Sequence, residues 1–262
     1  MGTSEIGPQA GDQESLTKQA DAATALRLMY RGIWASTLQN DQHLPVGGSM
    51  FGNALTTKLE LDLSTFDDQL GNFTEENLKK IFEQNKEHVI AWLKEAGSNI
   101  DPYTYFLCYQ VQQKMNALLE VESHTSSSSE RGDLYRNTAL PKLSEMKGKT
   151  ECGERAALGQ YILQKAGAES SYVSGVTMAD IHDDNEYPED HSFIVLKHPT
   201  TPGATFIFDI ARPHQQKIPR ILETDVPFTY ELLQGKDELL VGATEVLQGG
   251  RLWFGVGEPV AR

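Results

Sequence analysis

Apolar side chains recur at helical spacing in four stretches of the chain, whereas later segments carry short runs of β-branched and aromatic residues. From Asp21 to about Gln39, the positions of Leu26, Leu28, Met29, Ile33 and Trp34 predict a helix that the Pro- and Gly-rich LPVGGSMFGN ends. A second helix has Thr74 as its cap, Glu75 and Glu76 in its first turn, and Leu78, Ile81, Phe82, Val89, Trp92 and Leu93 on one face until Gly97. The third takes Asp101 as N-cap and Pro102 as its first residue, then runs through Tyr105, Leu107, Cys108, Val111, Met115, Leu118 and Leu119.

The fourth lies within Gly148–Gly167, GKTECGERAALGQYILQKAG. Thr150 is the expected N-cap, Ala157, Leu158, Tyr161, Ile162 and Leu163 give the apolar face, and Gly167 is the stop. HSFIVL, TFIFDI and RLWFGVG read as strands, with SSYVSGVT left unassigned after the Cys152 helix and one more helix near Tyr230–Leu240. The pattern predicts an α+β fold. A disordered leader (1–20), a helical region (21–122) and a flexible linker (123–132, SHTSSSSERG) precede a domain over 133–262. No internal repeat is present.

Charge and cysteine content narrow the functions open to the chain. A net charge of −14 over 262 residues, with no concentration of Lys and Arg, excludes a nucleic-acid binder. No apolar run approaches the ~18 residues a membrane span needs, and the start of the chain lacks the pattern of a secretory signal. The expected location is the cytoplasm, or a host cell reached by a non-Sec route that a polar leader permits. Two cysteines, Cys108 and Cys152, are too few for a disulfide scaffold and too far apart for a CxxC motif. The acidic loop around His182, Asp183, Asp184 and Asp190 matches no metal-binding spacing and reads as solvated, so neither metal nor cofactor is expected.

The cysteines differ in what their positions allow. Cys108 is a mid-helix apolar residue. Cys152 opens a helix, where unpaired N–H groups and the dipole favour a thiolate. HSFIVL and TFIFDI, joined by KHPTTPGA, form an expected antiparallel hairpin. A turn centred on Thr200 sets Phe193 opposite Ile207 and His191 opposite Asp209, so a carboxylate faces an imidazole. Cys152, His191 and Asp209 then form a catalytic set: His191 takes the thiol proton, Asp209 orients the ring, and the sulfur attacks an acyl carbon.

Across residues 148–213 the chain resembles the transglutaminase-like branch of the papain-like cysteine enzymes. The resemblance lies in Cys152 at a helix start, GAESSYVSG at Gly167–Gly175, HSF carrying His191, and FDIARP carrying Asp209. Ser171 stands where that family usually has Arg, and Ser192 and Phe193 where a small residue and Trp are common. The resemblance implies a central helix packed on an antiparallel sheet. It also implies a cysteine hydrolase acting through a thioester on an amide of a protein or peptide, as a glutamine deamidase or a protease, with a host-cell protein as one class of target. A transglutaminase ranks lower. The alternative is a catalytically inactive protein-binding module of the same fold.

Overall fold

The computed structural model describes residues 33–35, 37–45, 58–95, 98, 100–121, 128–178, 188–197, 205–210, 219–224, 241–245 and 251–255. The expected leader, the acidic loop at 179–187 and the helix near Tyr230–Leu240 lie outside them. The strands are β1 (Ile33–Ala35), β2 (Gln42–Pro45), β3 (Lys58–Leu61), β4 (Ser170–Met178), β5 (Pro188–Lys197), β6 (Thr205–Asp209), β7 (Arg220–Thr224), β8 (Val241–Glu245) and β9 (Arg251–Gly255). The helices are α1 (Asp67–Leu70), α2 (Glu75–Glu95), α3 (Pro102–Leu118), α4 (Ser128–Asn137) and α5 (Cys152–Lys165).

The helices form where their ends are well specified. Asp101 caps α3, its carboxylate accepting the Thr104 N–H at 2.7 Å, and Pro102 occupies a position whose N–H is not needed. At the other end of α5, Gly167 adopts a φ of +74°, which an L side chain resists, and Ala168 N–H returns to the Leu163 carbonyl at 2.9 Å.

Seven strands form one sheet in the order β1-β4-β5-β6-β7-β8-β9, all antiparallel, and β9 also pairs with β4. Strands β4 to β9 therefore close into a ring, which removes the exposed edges of an open sheet. Tyr172, Ile194, Leu196, Phe206, Phe208 and Ile221 join the helices in one hydrophobic core. Val173, Phe193, Val195 and Ile207, at the alternate positions, are equally buried but stand outside that core. Strand alternation turns this second set to the inside of the ring, with α5 packed on the outside. Each large side chain buried in these two layers contributes about 1.5–3 kcal/mol.

Three expectations are corrected. Residues 33–35 form a strand paired with β4 and are not helical, since a β-branched and an aromatic residue satisfy a sheet position as readily as a helix face. Strands β2 and β3 add a hairpin to the region expected to be helical throughout. The segment read as a linker is helical from Ser128, where burial of Arg131 and Gly132 overrides the weak propensity of a serine run. The core includes residues from both sides of 123–132, from Leu38 to Ile221.

Candidate active site

Cys152 is the first residue of α5 and is half-buried, whereas Gly153 to Gln160 are all buried. At the end of the helix Lys165 is exposed. Its N-cap is Glu151, one residue later than the expected Thr150. The Glu151 N–H is accepted by Glu154 Oε2 at 3.0 Å, the carboxylate half of a capping box. Thr150 has a different role: its hydroxyl and carbonyl accept from Arg155 Nε and Nη2 at 3.1 and 2.8 Å.

Helix α5 and strand β5 run in the same sense. Gly159 lies against the Cδ1 atoms of Ile194 and Ile210, so close that a Cβ there would come within 3.0 and 2.7 Å of them. One residue on, Gln160 Nε2 donates to the Ser170 carbonyl, and Ser170 pairs with Leu196. Cys152 is seven residues before Gly159, on the same side of the helix and about 10.5 Å toward its start. His191 is three residues before Ile194, about 10 Å in the same direction along β5. Asp209 immediately precedes Ile210. All three positions thus lie toward one end of the ring.

The hairpin register differs from expectation by two residues. Ile194 pairs with Phe208, Val195 with Ile207 and Leu196 with Phe206, which puts Asp209 level with Phe193. By this register His191 lies two positions along β5 from the residue level with Asp209, so the two are not directly opposed. A slip of two leaves the buried face unchanged, so apolar matching cannot choose between the two registers. The observed pairing centres on position 201, not 200. Opposite Asp209 on β7 is Arg220, and opposite His191 on β4 is Gly175. Asp209 is 2% exposed.

Alternation assigns positions 191, 193 and 209 to the inward face of the ring and 192, 194, 208 and 210 to the outward face that meets α5. Cys152 therefore shares an end of the sheet with His191 and Asp209, but its helix packs on the other face. Ser192, on the α5 side, is within hydrogen-bond distance of Tyr172 Oη at 3.1 Å.

A group that the sequence did not announce surrounds the start of α5. Arg131, from α4, donates from Nε to Glu154 Oε1 at 2.9 Å, and its Nη2 lies 2.8 Å from the same oxygen. Tyr135 Oη donates to that oxygen at 2.6 Å, and Arg131 Nη1 stands 3.4 Å from Glu151 Oε2. Glu154 is fully buried, and Arg131 is 1% exposed. Burial alone would raise the Glu154 carboxyl, but the charge of Arg131 and the bonds from Tyr135, Arg131 and the Glu151 N–H hold it below its ordinary value. Burial and the adjacent carboxylate raise the Tyr135 hydroxyl. For Arg155, burial dominates and lowers its proton affinity, while Glu154, Cys152 and Glu151 act in the other direction. Only the Glu151–Glu154 spacing, that of a capping box, offered a sequence signal for this group.

Cys108 is fully buried in α3, and burial raises its thiol strongly. Chemically, the end of the ring offers a thiol at a helix start, a histidine position, a buried carboxylate and an arginine position. In comparisons with protein-family models, curated proteins and solved structures, no match to this chain was found.

Proposed function

We propose that the chain is a cysteine-dependent acyl-transfer hydrolase with a papain-like, transglutaminase-like core, acting on an amide of a protein or peptide substrate. The observation that supports this reading is that Cys152, half-buried, opens a helix buried from Gly153 to Gln160, and that this helix packs on the sheet whose strands carry His191 and Asp209. In this mechanism the Cys152 thiol proton passes to His191 as the sulfur attacks the carbonyl carbon. Asp209 stabilises the imidazolium, and backbone N–H groups at the start of α5 hold the oxyanion. The amine leaves with the proton from His191, and water then resolves the thioester. Water acting after attack on a glutamine side chain gives a deamidase, and after attack on a backbone peptide gives a protease.

A protein-binding module of the same fold, without turnover, is the second reading. It is favoured by the alternation that sets positions 191 and 209 on the ring's inward face while α5 packs outside. Peptide mapping of candidate partner proteins incubated with the wild type and with Cys152→Ala separates the two. The enzyme reading predicts conversion of glutamine to glutamate, or new chain ends, with the wild type only. Identical maps for both proteins, with a partner retained by both, support the module.

A further inference from the structure

Strand β4 gives one edge entirely to β5, with Ser170 to Met178 all paired. Its other edge is therefore divided between β1 and β9. Strand β9 takes Val176, Thr177 and Met178, which closes the ring, and β1 takes Tyr172, Val173 and Ser174. The ring is complete without β1. That strand has three residues, and its chain is next anchored by Leu38 in the core and by β2, which belongs to a different sheet. So short a strand makes few ladder bonds, while the edge it covers presents N–H and C=O groups that any extended chain can pair.

We propose that the edge of β4 at Tyr172–Ser174 is a docking edge for an extended segment of a partner protein, and that β1 fills it as an exchangeable strand. The register of β1 states what the edge accepts: an antiparallel chain with Ile33 opposite Ser174 and Ala35 opposite Tyr172. Strand addition draws affinity from the main chain and selectivity from alternate side chains. The occupant seen here is Ile-Trp-Ala, and the chain as a whole carries a net charge of −14. The partner segment is therefore one with β-branched and aromatic residues and basic flanks. The register also gives a docked segment its direction. In a longer segment that replaces β1, the position before the one held by Ile33 is level with Gly175, which pairs on its other side with His191. Two strand spacings, about 9–10 Å, separate that position from 191. Docking does not depend on Cys152 being a nucleophile; under the hydrolase reading it delivers the segment to the end of the ring that carries His191.

The test begins with hydrogen exchange of the full wild-type chain, read by peptide mass. An exchangeable strand opens without the ring, so the amides of residues 33–35 should exchange at least about a hundredfold faster than those of Phe193 to Leu196 in β5. Equal protection ties β1 to global unfolding and overturns the proposal. The second arm adds a labelled peptide of the chain's own sequence Tyr30–Thr37, YRGIWAST, and follows fluorescence anisotropy. In the wild type the tethered strand competes at an effective concentration of about 1 mM. Ile33→Pro combined with Trp34→Pro removes the N–H aimed at β4 whichever of the two carries it, so this full-length variant should bind the peptide at least about tenfold more tightly. Antiparallel pairing also sends only alternate N–H groups to the partner strand. Of two peptides, one N-methylated at Trp34 and one at Ile33 and Ala35, one should lose binding and the other keep it. Binding kept by both, or left unchanged by the proline variant, contradicts strand addition. If the variant exposes Cys108 to iodoacetamide, its fold has been lost, and the N-methyl comparison is made on the wild type at millimolar peptide with the same deciding outcomes. A wild-type chain whose mass doubles with concentration while 33–35 become protected assigns the edge to a second copy and overturns the partner. None of these readouts involves Cys152, so their failure leaves the hydrolase reading to its own test.

Discussion

The two cysteines sit on two helices that the chain builds in opposite ways. Cys108 is in the middle of α3, fully buried among apolar neighbours, and its helix is fixed by a conventional Asp101 cap far from the sulfur. Cys152 stands at the first position of α5, half-buried, and its helix is fixed by charges within the first turn itself. Both are free thiols, but burial suppresses ionisation at Cys108, whereas Cys152 is half-buried at a helix start. Position along a helix, and not cysteine chemistry alone, separates them.

The largest effect that should sharpen this contrast is on the charged start of α5. Glu154→Gln neutralises the nearer of the two carboxylates beside the buried Arg131, Glu151 standing at 3.4 Å, and should destabilise the fold by about 3 kcal/mol in chemical denaturation. The same carboxyl gives a pH dependence of known sign. Its folded-state value is lowered, so its contribution to stability is present above the unfolded value and is lost as pH falls toward the folded one. Acid unfolding followed by circular dichroism should show this loss in the wild type, and Glu154→Gln should lack that component. A variant with full stability and an unchanged acid profile would mean that the ion pair does not fix the helix.

At the other helix, Cys108→Ser places a hydroxyl in an apolar site and should cost about 1–3 kcal/mol, whereas Cys152→Ser at its half-buried position should cost under about 0.5 kcal/mol. Equal costs would erase the contrast. Asp101→Ala, which removes the cap of α3, should cost about 1 kcal/mol and leave the alkylation rate of Cys152 unchanged.

How much of this was legible in the sequence depended on whether the signal was local. Helices α2, α3 and α5 follow from their apolar spacing and end residues, and strands β5, β6 and β9 from runs of β-branched and aromatic residues, whereas β4 was not read as a strand. Cys152 was visible because a cap, a first turn and a Gly stop all lie within twenty residues of it. The hairpin register was only half legible. Which side of the sheet each residue takes is written in the alternation, but a slip of two preserves that alternation, so pairings centred on positions 200 and 201 bury the same residues. Helix α4 was missed because its four-serine run reads as loop and its support is tertiary. The Arg131–Glu154 pair was missed for the same reason: its members are 23 residues apart and their pairing depends on how α4 meets α5.

The most direct test of the central claim compares the two sulfurs in one molecule. Low-dose iodoacetamide near neutral pH, followed by peptide mapping of the folded wild-type chain, should modify Cys152 well before Cys108. Equal reactivity, or Cys108 reacting first, would contradict the account.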